Sequence, residues 1–101
     1  MFDFGRIEGF DWDSGNLSKS ADKHGVAWAE AEQMFFNEPL LMVQDEKHSG
    51  GEVRFHALGT TNERRLLHIT FTLRDEGTKI RVISARDMHR KERMVYEKQT
   101  R

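Results

Sequence analysis

The sequence contains no cysteine, only one proline, and no apolar run approaching the roughly 20 residues that a membrane-spanning helix needs. Without cysteine, neither a disulfide framework nor a thiolate metal site can form, and a small chain without such cross-links is typical of a reducing compartment. The acidic N-terminal region also lacks the basic and apolar parts of a signal peptide. We therefore expect a cytoplasmic protein that is neither secreted nor embedded in a membrane.

Net charge is also nearly absent, at −1 for 101 residues, but the charges are unevenly divided. Residues 1–50 carry four basic and ten acidic side chains, whereas residues 51–101 carry twelve basic and seven acidic ones. A chain of this length fits one domain, over residues 1–101 with residues 1–6 as a short N-terminal tail. Its basic half can meet phosphates while its acidic half meets a basic partner; the alternative is an uneven spread of solvated charge.

Apolar periodicity predicts an α+β fold in the order β-α-α-β-β-β-β-α. It is clearest at Leu67, Ile69, Phe71 and Leu73, which alternate with polar residues as in a half-buried strand. Short turns between the last strands favour an antiparallel sheet of four to five strands, with the helices packed on one face. The predicted elements are a strand at Ile7–Trp12, a helix from the N-cap Asp13 to His24, a helix from Trp28 to Asn37, strands at Leu40–Val43, Val53–Leu58, Leu67–Arg74 and Ile80–Ala85, a polar loop at Asp45–Glu52, and a helix at Met88–Lys98 with Asp87 as N-cap.

The run Lys23-His24-Gly25 has two interpretations. Glycine adopts the left-handed conformation that closes a helix, and positive charge beside it complements the negative end of the helix dipole. The run therefore predicts a helix stop. The same stop can bring Lys23 and His24 to the rim of the sheet, where His24 is a candidate acid or base and Lys23 a phosphate contact.

The strand alternation predicts a polar sheet face opposite the helices. Arginine binds phosphate oxygens in bidentate fashion, and histidine suits acid or base work near neutral pH. Such a set fits RNA cleavage without a metal, in which a 2′-hydroxyl attacks the neighbouring phosphate. The alternative is a solvated face, because an open antiparallel sheet normally has one. The residues expected on this face are Arg54, His56, His68, Thr70, Thr72, Arg74 and Arg81.

Other enzyme signatures are missing from the sequence. His56 and His68 can face each other on adjacent strands, but no close metal-ligand spacing or third ligand accompanies them. There is no nucleophile-elbow motif and no glycine-rich P-loop. We expect no metal and no other cofactor.

Two stretches, FDWD…DKHGVAWAEAEQMF and RFHALG…RLLHITFTLRDEGTKIRVISARDMHRKERMVYE, carry a family resemblance. Between Phe10 and Glu97 the chain resembles the BrnT family, the ribonuclease toxins of type II toxin–antitoxin modules. The resemblance implies a compact RelE-like fold and RNA cleavage that arrests translation. It also implies a BrnA-type antitoxin with a ribbon-helix-helix domain, commonly in a heterotetramer of two toxins and two antitoxins that contacts DNA only through the antitoxin.

The family motifs coincide with Lys23, His24, Arg54, Arg74, Arg86, Glu92 and Arg93. From the resemblance and the polar face together, we assign His24, Arg54, Arg74 and Arg86 as catalytic residues, and Lys23, His56 and Arg81 as substrate-binding residues. A salt bridge to the acidic half or to the terminal helix is the alternative role for the arginines.

Two residues depart from the family pattern: Asn16 stands where a lysine is common, and Ser20 where an asparagine is common. These departures and the division of charge leave a second hypothesis open. It is a non-catalytic protein that binds a ribbon-helix-helix antitoxin and supports promoter repression.

Overall fold

The computed structural model describes residues 4–46 and 51–100, and its α+β class agrees with the prediction. Residues 1–3 of the predicted tail and 47–50 of the predicted loop lie outside the described residues. No helix in the described ranges is long and apolar enough to cross a membrane. A 3₁₀ turn at Phe4–Arg6 is followed by β1 (Gly9–Phe10), α1 (Lys19–His24), α2 (Trp28–Met34), β2 (Leu41–Asp45), β3 (Arg54–Thr60), β4 (Leu66–Arg74), β5 (Lys79–Asp87) and α3 (Arg90–Gln99).

Five strands form one sheet in the order β1-β5-β4-β3-β2. The four strands from β2 to β5 pair antiparallel with their neighbours along the chain, as short connections require. Strand β1 is only two residues long and runs parallel to β5, with Phe10 opposite Ile80. The sheet is therefore mixed rather than purely antiparallel.

The core lies between one face of the sheet and helix α2 with the residues that precede it. The alternating residues of β3, β4 and β5 that face it are almost completely buried, as the period of two in the sequence predicts. Gly59 lies where α2 approaches closely, because a Cβ atom there would stand 2.5 Å from Cγ of Met34. The buried core residues are Val26, Ala31, Met34, Phe35, Phe55, Ala57, Leu67, Ile69, Phe71, Ile80, Val82 and Ala85.

Helix α3 differs from the expectation that all helices pack on one face. Its Glu92 contacts Arg86 and His68 on the opposite face of the sheet, and its Tyr96 hydroxyl donates a 2.6 Å hydrogen bond to the Pro39 carbonyl. The helix also begins later than expected. Asp87, the predicted N-cap, is still in β5, where its carboxylate accepts hydrogen bonds from a distant arginine.

Helix α1 ends as the sequence predicts. Gly25 has φ 67° and ψ 25°, the left-handed conformation, and its N–H donates to the Ala21 carbonyl while that of Val26 donates to the Ser20 carbonyl. Arg65 then donates to the Gly25 carbonyl and pairs with both Glu30 and Asp87. These bonds tie the start of α2 and the end of β5 together and raise the pKa of Arg65.

Asn16 and Ser20 satisfy backbone groups of β5 beyond its short pairing with β1. The Asn16 amide donates to the Val82 carbonyl at 3.0 Å, and the Ser20 hydroxyl accepts from the Ala85 N–H at 2.9 Å. Asn16 is buried and also accepts from the Asp13 N–H. The two residues that depart from the family pattern therefore have a structural role in covering the edge of the sheet.

Candidate active site

The strand registers confirm that the predicted polar residues share one sheet face. Thr72 lies opposite Arg54 on one side and Arg81 on the other, while His68 lies opposite Arg86. We call this surface, opposite the core, the polar face.

A bulge in β5 is needed for this arrangement. Arg81 and Arg86 are five positions apart, so an unbroken alternation would put them on opposite faces. The register shifts by one residue opposite Thr70 and Phe71, and Ile83 is the extra residue. Both arginines therefore reach the polar face.

His56 is held at both ring nitrogens. Its Nε2 lies 2.7 Å from a carboxylate oxygen of Asp45 on β2, and its Nδ1 lies 3.1 Å from the hydroxyl oxygen of Thr70 on β4. A carboxylate only accepts, so the Asp45 contact keeps a proton on Nε2 and leaves the lone pair of a neutral ring on Nδ1. The arrangement fixes both the ring orientation and the tautomer.

His68 lies beside His56 with ring centroids 5.1 Å apart, and its side chain is only 12% exposed. Burial, and to a smaller extent the nearby charge of Arg86, lower the pKa of His68 to about 4, although the charge of Glu92 opposes the shift. Its Nδ1 is buried with no hydrogen-bond partner in the described part of the chain. His68 is therefore a neutral ring near pH 7.

Arg86 forms a two-pronged ion pair with Glu92, at 2.8 and 3.0 Å. This contact joins the end of β5 to the first turn of α3, where Glu92 also accepts from the His89 N–H. Hydrogen bonding from Arg86 lowers the pKa of Glu92 to about 2. The Arg86 guanidinium is thus neutralised by a partner on the terminal helix.

Arg81 and Arg74 form a second basic group, near the end of the polar face that lies away from His68 and Arg86. Thr72, which lies opposite Arg81, is four positions after His68 on β4, which corresponds to about 13 Å along an extended strand. Arg81 pairs with Asp13 at 3.0 and 3.2 Å and with Asp11 at 3.5 Å, which lowers the pKa of Asp13. Arg74 pairs with Glu52 at 3.2 Å.

Lys23 and His24 lie apart from these clusters, at the C-terminal end of α1, which packs along β5. No hydrogen bond or ion pair within residues 4–46 and 51–100 joins either side chain to Arg54, Arg74 or Arg86. The structure therefore brings His56, His68 and Arg86 together, and no hydrogen bond or ion pair among the described residues links His24 to them.

An apolar groove opens beside the histidine pair, between β2 and α3. Its volume is about 630 Å³. Leu41, Val43, Leu58 and Val95 contribute apolar walls, while His56, His68 and Glu92 form its polar side. Within the described ranges, no group of three histidine, aspartate or glutamate side chains is arranged to hold a metal ion.

Residues 12–92 match the family model for BrnT, described as the ribonuclease toxin of type II toxin–antitoxin systems. This chain belongs to the BrnT family. The match includes the histidine pair, the Arg86–Glu92 contact and the groove residues of β2 and β3, whereas Val95 and Gln99 on the α3 side of the groove lie beyond it. No curated protein matches the chain.

Sequence reasoning missed the acidic partners of this BrnT chain's site. The sequence predicts a loop at Asp45, yet Asp45 ends β2 and contacts His56. Glu92 is recognisable in the sequence only as a family motif residue. The alternation of β3 and β4 gave the two histidines, but the pairing of β2 with β3, which brings in Asp45, has no local signal in the sequence.

Proposed function

We propose that this BrnT chain is an endoribonuclease toxin that cleaves RNA through attack of a 2′-hydroxyl on the adjacent phosphate, without a metal ion. The observation that carries the proposal is the orientation of His56 by Asp45 beside His68 and the arginines of the polar face. Membership of a ribonuclease toxin family supplies the reaction class, and the polar face supplies acid–base and cationic groups for it.

In this proposal His56 is the general base. A 2′-hydroxyl that replaces the Thr70 hydroxyl at Nδ1 gives its proton to that nitrogen as the 2′-oxygen bonds to phosphorus. The bond from phosphorus to the 5′-oxygen breaks, and that oxygen takes a proton from water. The products are a 2′,3′-cyclic phosphate and a 5′-hydroxyl. Asp45 is a positioning residue, since it stabilises the imidazolium that forms.

Arginines of the polar face bind the phosphates. Arg54 is two residues before His56 on β3, so its side chain leaves the same face about 7 Å away. Arg86 and Arg81 reach phosphates after exchanging their carboxylate partners, and Arg74 does so most easily because its pair with Glu52 is exposed. Lys23 and His24 contact only RNA that extends beyond the face.

The family also suggests where the protein acts, what effect it has on the cell and which partner it binds. We propose that the protein acts in the cytoplasm and inhibits translation by degrading RNA. We also propose that a BrnA-type ribbon-helix-helix antitoxin neutralises it in a heterotetramer of two toxins and two antitoxins. The family supports an antitoxin partner of some kind.

The decisive experiment compares His56→Gln with His89→Gln in cleavage of end-labelled RNA in EDTA. His89 is an exposed histidine at the start of α3, so the second variant is a matched control for removing an imidazole. We expect His56→Gln to lose about 10²- to 10⁴-fold in rate, the usual contribution of a general base. We expect His89→Gln to retain activity, with cyclic phosphate at the product ends.

Equal rates for the two folded variants would remove His56 from the reaction. Cleavage lost in EDTA and restored by a divalent ion would instead show that a metal takes part.

The paired arginines favour one alternative function. Because Arg74, Arg81 and Arg86 are neutralised within the chain, the polar face offers less attraction to RNA than its sequence suggests. A non-catalytic protein that binds its antitoxin and supports repression would show tight complex formation and no cleavage of free RNA or of RNA on ribosomes.

A further inference from the structure

Strand β2 presents an open edge. It is the last strand in the sheet order and pairs only with β3 among the described strands. Outward-directed N–H and C=O groups of such an edge can accept another strand. Val43, at the middle of β2, has 64% of its surface exposed.

Apolar cavities flank this edge on both faces of the sheet. On the polar face lies the groove of about 630 Å³, to which Leu41 and Val43 contribute. On the core face lies a cavity of about 590 Å³, lined by Phe35, Phe36 and Met42 among others. Phe36 is 72% exposed, although its ring packs edge-on against Phe10. Since side chains alternate along a strand, a strand added to β2 would send its residues alternately into the two cavities.

We propose that an extended segment of the antitoxin adds to β2 as a sixth strand, with apolar side chains at alternating positions filling both cavities. This inference rests on the proposed toxin function, because it takes the antitoxin as the occupant. Main-chain hydrogen bonds hold the segment, and the two cavities select its side chains.

Charge at the edge selects a basic segment over a second copy of this chain. Exposed carboxylates lie at both ends of the strand, Glu38 before it and Glu46 after it. Antiparallel self-pairing through β2 would bring the acidic ends of two copies together, which costs energy. A partner with lysine or arginine on both sides of its apolar residues is attracted instead.

The docked segment explains how the antitoxin blocks the reaction. Side chains that enter the polar-face groove lie against His56, whose Nδ1 is the proposed proton acceptor. Inhibition then needs no change in the fold of the toxin.

The test uses the full chain co-expressed with the protein encoded by the adjacent gene. Hydrogen exchange is compared at the amides of 41–45 in the free chain and in the complex. We expect those amides that point outward from β2 to slow by at least about tenfold, because a new ladder protects them. A complex in which these amides stay unprotected, or no complex at all, would overturn the proposal, as would a helix bound in the groove.

Side-chain variants test the two cavities separately. We expect Val43→Asp and Phe36→Ala each to raise the Kd of the complex about tenfold or more, since each removes an apolar contact near the centre of the interface. Val53→Asp is the matched control, because Val53 is also exposed but lies outside both cavities. Circular dichroism checks that each variant is folded.

Equal Kd values for the edge variants and the Val53 control would refute the site. RNA cleavage by the free chain is measured separately, so a chain that cleaves RNA but leaves β2 unprotected contradicts this inference alone.

Discussion

Replacing His68 with leucine should make the protein less sensitive to acid. The pKa of His68 is about 4 in the fold, against an ordinary value of 6.5, because the ring is buried beside Arg86. Between these two pH values the unfolded chain binds a proton that the folded chain does not. Stability from this group is therefore fully present above pH 6.5 and falls as the pH drops toward 4. Linkage gives a loss of about 2 kcal/mol between pH 7.5 and pH 5, with a limiting slope of about 1.4 kcal/mol per pH unit.

The assay is urea unfolding at pH 7.5 and pH 5, followed by fluorescence of the two tryptophans. We expect His68→Leu to lose about 2 kcal/mol less than the parent over this range. At pH 7.5 it should be as stable or more so, since it removes a buried Nδ1 without a described partner. His89→Leu, which changes an exposed histidine, should behave as the parent. The same pH dependence in the parent and in His68→Leu would refute the burial argument.

Three further substitutions test the packing. Asn16→Ala should cost about 1–3 kcal/mol in urea unfolding, because it leaves the buried Val82 carbonyl without its side-chain donor; an unchanged midpoint would contradict this role. Gly59→Ala should destabilise the fold by about 1–3 kcal/mol, because the new Cβ would overlap Met34. A thermal melt at the parent Tm would show that Met34 and α2 move aside without a cost in stability. Arg65→Lys should speed amide exchange at the start of α2, since one ammonium group cannot hold Asp87, Glu30 and the Gly25 carbonyl together as the guanidinium does; exchange at the parent rate would show that these contacts carry no stability.

Local patterns predicted the parts of the fold that depend on neighbouring residues. The alternation around Ile69 and Phe71 gave β4 and its buried face, and Gly25 gave the end of α1, because glycine meets the left-handed conformation without strain. The shared polar face also followed from alternation, although the bulge that puts Arg81 and Arg86 together could not be seen in the sequence.

Contacts between distant residues could not be predicted in the same way. Asp87 has the character of a helix N-cap, yet it extends β5 because Arg65, 22 residues away, binds its carboxylate. Helix α3 crosses to the polar face because Glu92 meets Arg86 there. The arginines were expected to face a phosphate or a carboxylate, and only the folded chain shows which carboxylates lie within reach. The catalytic roles remain predictions.

The two ends of the sheet differ in a way that limits aggregation. At one end β1 has two residues, and Asn16 and Ser20 cover the adjoining stretch of β5; at the other, β2 has five residues and pairs only with β3 among the described strands. Fibres that grow by strand pairing need a donor edge and an acceptor edge on every molecule. A molecule with one usable edge has no second edge to offer to a further copy. Strand pairing between copies therefore stops at a dimer and cannot propagate.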